Sequence, residues 1–194
     1  MSQLKNRQEL AKYFAEQGFS NGAEIGVLAG YYSKMLLDNI PGLTLYGIDP
    51  WSNVYGSTKY GRRYGHRKMY LAHRHAQTLL AEYVKSKKFI IIQKSSLDAL
   101  QDIEDNSLDF VFIDANHEHD PVLADIRGWA PKVRAGGIVS GHDYYVFSYT
   151  GSRGVVDAVD EYVRTHEVEL LTTSWDKDNL WEDDRQPSWY FFKK

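Results

Sequence analysis

Five stretches of this sequence place polar, chemically useful groups directly after a short apolar run. They are Glu24 in AEIGVLAG (23–30), Asp49 in LTLYGIDPW (43–51), Ser95 and Ser96 after KFIIIQ (88–93), Asp114 and His117 in LDFVFIDANH (108–117), and His142 and Asp143 in GGIVSGHDY (136–144). A carboxylate that ends an apolar run is costly to desolvate unless it is paired or coordinated. Asp114 and Asp143 are therefore expected to face one shared ligand, either a divalent cation or a substrate hydroxyl. Hard oxygen donors suit Mg²⁺ or Mn²⁺. Imidazole titrates near neutrality, which makes His117 and His142 candidate general bases; a surface or hydrogen-bonding role suits each of them equally.

The first stretch has the form of a ligand loop. Gly26 and Gly30 allow a close backbone approach, and a helix starting near Tyr31 offers unpaired N–H groups. A dinucleotide fingerprint starting at Gly26 requires glycine at 28 and 31, where Leu28 and Tyr31 stand instead, so a pyrophosphate cradle is disfavoured and with it a nicotinamide-dependent oxidoreductase. Asp49 lies about twenty residues beyond the loop, the place from which a carboxylate accepts two hydrogen bonds from a ribose diol; a helix N-cap is its structural alternative. Trp51 offers a flat face for a purine or simple packing. The run 59–75, KYGRRYGHRKMYLAHRH, carries six of the 23 Lys and Arg and three histidines. It reads either as a solvated helix face or as a cover over the site that draws in an anionic acceptor, with Tyr55, Tyr60, Tyr64 and Tyr70 interleaved.

These groups need a scaffold that brings five strand ends together. Apolar runs alternate with helical patterns throughout: helix 3–17, strand 23–27, helix 31–39, strand 43–49, helix 66–85, strand 88–93, a turn at 97–102 and strand 108–114. A helix follows with Asp120 as expected N-cap and Pro121 at its first position, then strand 136–143, helix 152–166 and strands 168–175 and 187–192. Strands apolar on both faces and alternating with helices indicate an α/β fold: a Rossmann-like, doubly wound, mostly parallel seven-stranded sheet with helices on both faces. The last two strands, joined by a polar connection without helical pattern, suit an antiparallel edge hairpin. Such a sheet binds ligands beyond the carboxyl ends of its strands, where strand order reverses.

Length and composition agree. The 194 residues suit a single domain, 1–194, with an N-terminal helix in 1–20 and a lid or substrate segment at 51–87. A formal charge of −3 gives no basis for nucleic-acid binding, and the absence of cysteine excludes disulfides, thiolate metal sites and a cysteine nucleophile. No signal peptide or membrane span is expected, which makes a cytoplasmic location the expectation. Aromatic residues make up 14 %, more than one core of this size hides, so some must line a cleft or an interface such as that of a homodimer.

Taken together, E-x-G-x-x-x-G after the first strand, the acid ending the second, the segment DFVFIDANHEHDPVLADIRGWAPKVRAGGIVSGHDY and the later GVVDAVDEYV resemble class I S-adenosylmethionine-dependent methyltransferases. The match is to the small bacterial O-methyltransferase-like group, over about residues 20–192 and most strongly at 108–144. The resemblance implies that Glu24 approaches the methionine part of S-adenosylmethionine, that Gly26 and Gly30 leave room for it, and that Asp49 holds the ribose. It implies Ser96 near the adenine and Asp114 at the border of cofactor and acceptor. In metal-dependent members the acids matching Asp114 and Asp143 bind the ion. His117 stands at the position of the base, normally lysine, and Tyr144 replaces a metal-binding asparagine, leaving a third ligand to be found, with His142 the candidate. The expected reaction is methyl transfer to a hydroxyl of a small molecule or sugar, catalysed by His117, Asp114 and Asp143; a module that binds the cofactor without turning over is the alternative.

Overall fold

The computed structural model describes residues 3–52, 65–147, 151–180 and 184–194. Tyr55, Tyr60, Tyr64 and the basic residues Lys59, Arg62 and Arg63 lie outside the described residues. The chain runs α1 (Arg7–Glu16), β1 (Asn21–Ile25), α2 (Tyr31–Asn39), β2 (Thr44–Ile48), α3 (His66–Leu79), α4 (Ala81–Lys85), β3 (Phe89–Ile92) and β4 (Leu108–Ile113). It continues with α5 (His119–Trp129), β5 (Val133–Gly141), α6 (Gly154–His166), β6 (Leu171–Thr172) and β7 (Trp189–Phe192), with short 3₁₀ turns after β3 and α5.

The seven strands are ordered β3-β2-β1-β4-β5-β7-β6. β1 pairs in parallel with both β2 and β4, so strand order reverses across β1 and β4. β7 enters antiparallel between β5 and β6. This is the expected Rossmann-like sheet with its antiparallel edge.

Alternation along β4 shows why the strand reads as a continuous apolar run. Phe110 and Phe112 belong to the core beneath α1, α2 and α3, whereas Val111 and Ile113 belong to the core beneath α5 and α6. Both faces are covered: Asp109 near the strand's start is held by the Ser20 and Asn21 amides and by Arg134, and from Phe110 onward every side chain is apolar until the strand ends at Asp114. The helices follow their apolar stripes: Leu10, Ala11 and Phe14 of α1 are fully buried, as are Ile126 and Trp129 of α5.

Boundaries differ from expectation in three places. The single helix expected over 66–85 is broken at Leu80, which is wholly buried and leaves helical geometry (φ −103°, ψ 8°). The strand expected over 168–175 has its ladder only at Leu171 and Thr172; beyond it the backbone leaves the sheet, with Ser174 N–H donating to the Leu4 carbonyl. The start of α5 lies before Asp120: Glu118 is the capping position, with Asn116 Oδ1 accepting its N–H (2.8 Å). Pro121 then falls in the first turn, where a missing N–H costs nothing.

Candidate active site

A cleft of about 350 Å³ opens at the carboxyl ends of β1, β2, β4 and β5. Glu24, Gly26, Asp49, Ser96, Asp114, His117, His142 and Asp143 all line it. Expected site residues from five separate stretches thus share one cavity. Gly30 stands at the end of the loop, as the left-handed residue (φ 83°) that opens α2.

The loop end of the cleft is built from buried acids. Glu24 is 2 % exposed and accepts a hydrogen bond from Ser33 Oγ of α2. Burial pushes its carboxyl up to about 8, against the opposing effect of the Ser33 hydrogen bond and of Arg7. Asp49 accepts the backbone N–H groups of Leu28 (2.9 Å) and Trp51 (2.7 Å). Burial pushes it up too, although those two amides favour its ionised form. It therefore ties the loop to β2. Gly26 is required by space and conformation alike: φ is 95°, and a Cβ there would lie 2.1 Å from the Asp114 carbonyl oxygen.

Of the two roles open to Trp51, packing is the one it takes. Its indole does not line the cleft: it is 6 % exposed, donates from Nε1 to the Leu28 carbonyl (2.8 Å) and stacks on His73 at 4.3 Å. No face remains free for a purine. Ser96 lines the cleft while accepting from Trp129 Nε1 (2.8 Å) and hydrogen-bonding Asp125, whose carboxyl burial raises to about 6.

At the other end two carboxylates and an imidazole converge. His117 Nε2 lies 3.1 Å from Asp143 Oδ2 and 3.7 Å from Asp114 Oδ1. One donor atom from each of the three residues falls within 4.8 Å of the others. His142 directs Nδ1 to Asp143 Oδ1 (3.3 Å), with Asp114 Oδ2 at 3.9 Å. Burial favours the neutral form of Asp114, but the His117 hydrogen bond, His142 and Arg7 outweigh it and hold the carboxyl well below the usual range. Tyr144 takes no part, since its hydroxyl donates to Asp160 of α6 (2.6 Å). The third donor beside the two acids is His117, the residue expected as base.

Sequence reasoning missed Arg7. From α1 it reaches the cleft, places Nη1 3.3 Å from Asp114 Oδ2, donates from Nε to Asp184 and lies over the Tyr32 ring at 4.9 Å. A signal was present: Arg7, Leu10, Ala11 and Phe14 fall on one helical stripe, so the arginine is carried into the core with its apolar neighbours. Also missed was an aromatic flank beside the acids. Phe147 stacks on His117 at 5.6 Å and lies tilted against Tyr145 at 4.4 Å, and Trp175 meets Tyr145 edge-on at 5.2 Å.

Known proteins share this fold. A curated relative, the uncharacterized protein y4gI of Sinorhizobium fredii, is 32 % identical over 98 residues, and the match spans 50 % of this chain but 10 % of that protein. Among solved structures, the O-methyltransferase from Bacillus cereus, in complex with SAH, superposes with a TM-score of 0.64 at 16 % identity, covering 96 % of this chain and 80 % of that one. The O-methyltransferase TomG from Streptomyces achromogenes, in complex with SAM, gives 0.65 at 16 % identity over 97 % and 80 % of the two chains. Both share the fold. Among the described residues no helix is long and apolar enough to cross a membrane. Residues 23–144, which run from the first strand to the end of the acid–histidine cluster, match the methyltransferase domain family, and the chain belongs to it.

Proposed function

We propose that this chain transfers the methyl group of S-adenosylmethionine to a hydroxyl oxygen of a small molecule or sugar. The carrying observation is the single cleft with a loop and buried acids at one end and the Asp114–His117–Asp143 cluster at the other. Structural neighbours that bind SAH and SAM support the cofactor. In this reading Glu24 faces the methionine part, Asp49 the ribose, Ser96 the adenine, and Gly26 and Gly30 leave the cofactor room.

A sulfonium methyl is already electrophilic, so the residues mainly align acceptor, methyl and sulfur and make the hydroxyl a better nucleophile. The donor set fits a divalent cation such as Mg²⁺ or Mn²⁺: Asp114, Asp143 and His117 would hold it. Such an ion, when bound, lowers the pKa of an acceptor hydroxyl. His142 orients the Asp143 carboxylate, and Arg7 fixes that of Asp114. His117 Nε2 is enclosed between the acids, which suits a ligand better than an open base. The aromatic flank of Phe147 and Tyr145 suits an acceptor that presents a flat ring.

Two assays test this. Calorimetry with S-adenosylhomocysteine and with NAD is expected to give binding of the first alone; tight binding of NAD alone overturns the reading. Transfer of labelled methyl to a panel of ring hydroxyls and sugars is expected to fall with EDTA and return with Mn²⁺. Turnover unchanged by EDTA removes the ion and returns His117 to the role of base.

A further inference from the structure

The loop between β1 and α2 is strained, and the groups that hold it in shape lie outside the cleft. Leu28 adopts φ 49° and Trp51 adopts φ 42°, left-handed values that favour glycine. Such residues persist only where their surroundings fix them. Here the fixing comes from α3 and from Trp51. His75 Nδ1 holds the Ala29 carbonyl at 2.9 Å, and its Nε2 meets the Tyr31 hydroxyl at 3.2 Å. A carbonyl only accepts, so Nδ1 is the donor to Ala29. Trp51 Nε1 holds the adjacent carbonyl, that of Leu28, with its ring pressed flat on His73 (interplanar angle 14°). α3 leaves no gap: a Cβ on Gly30 would stand 3.3 Å from the Ala76 Cα. Two consecutive carbonyls are thus pinned by side chains that do not line the cleft.

We propose that His75 and Trp51 are positioning residues for the cofactor, holding the 26–30 loop in its bound shape before the cofactor arrives. The proposal rests on the reading of that loop as the cofactor loop. Without the pins the strained residues relax, and the cofactor must restore them on binding. Affinity then drops by the fraction of molecules that hold the competent loop. Losing one hydrogen bond of this kind weakens binding about five- to tenfold.

The test uses the full chain and S-adenosylhomocysteine as probe. First, hydrogen exchange of the unaltered protein: amides of 26–31 are expected to slow when the probe binds. If they do not, the loop is not the cofactor loop and the underlying reading falls. Second, calorimetry of variants: His75→Leu and Trp51→Phe are expected to bind about five- to tenfold more weakly, and His75→Asn, whose amide N–H stands where Nδ1–H stood, to return within about twofold. Third, in His75→Leu the loop amides exchange faster than normal without probe and match the unaltered protein at saturation, a signature that general destabilisation does not give. Protected loop amides with both variants binding within twofold of the unaltered protein overturn the pinning, and so does a His75→Asn variant as weak as His75→Leu.

Discussion

Replacing Glu24 by Gln should change how stability depends on pH. Glu24 is 2 % exposed, and its carboxyl moves from about 4.5 in the unfolded chain to about 8 in the folded one. The folded state therefore binds a proton that the unfolded state has released. Stability from this group is complete below about pH 4.5 and is lost as pH rises through about 8. At about 1.4 kcal/mol per pH unit, the whole interval corresponds to roughly 4–5 kcal/mol, and the part between pH 6 and 7.5 to about 2 kcal/mol. Gln fills the same volume, keeps an acceptor for Ser33 and does not titrate. Asp49 and Asp125 are also raised by burial, but they are common to both proteins and cancel in the difference. The Tm of Glu24→Gln minus that of the unaltered protein should rise by about 4–8 °C between pH 6 and 7.5. Differential scanning calorimetry without ligand reads this directly. Parallel Tm curves across that interval would show that Glu24 is ionised in the fold and refute the argument.

Two further substitutions probe the framework of the cleft. Arg7→Ala leaves Asp114 and the buried Asp184 without their counter-charge and should cost roughly 3 kcal/mol in urea unfolding, with Arg7→Lys recovering only part because an ammonium cannot fork to two carboxylates; a loss for Arg7→Ala under about 0.5 kcal/mol contradicts this. Gly26→Ala should be far worse than Gly42→Ala: both have positive φ, but a Cβ at 26 meets backbone at 2.1 Å and one at 42 meets nothing within 4 Å. The expected losses are at least about 2 kcal/mol against about 1 kcal/mol, and equal losses would show that the Asp114 carbonyl yields easily.

The parallel sheet was legible because its strands are apolar on both faces and its helices are not, and the acids were legible because each ends such a run. Asp49, Asp114 and Asp143 meet around one cleft for that reason. What stayed hidden came from partners distant in sequence. Arg7 finds Asp114 and Asp184 from 107 and 177 positions away, and no local pattern names those partners. Yet the polar member itself was visible. Arg7 on α1, Ser33 on α2 and Asp125 on α5 each occupy an apolar stripe at helical spacing, and each is buried at or beside the cleft. Trp51 and His75 were not legible as loop pins, because their function depends on a carbonyl direction set by the left-handed turn at Leu28. The boundary errors at Leu80 and after Thr172 have the same origin: tertiary packing overrode a regular pattern.

The antiparallel entry of β7 has a consequence for how the protein is made. Ile138 to Gly141 of β5 pair on one side with β4 and on the other with Phe192 to Trp189. In the order of synthesis β4 and β5 emerge together, while β7 follows later, after α6 and β6. A growing chain therefore carries a completed parallel half-sheet with an open, apolar border. Trp189 and Phe191, both 1 % exposed in the finished molecule, are the side chains that close it. Until they arrive that border is free to pair with another nascent copy, so β7 closes an edge that would otherwise be an aggregation hazard.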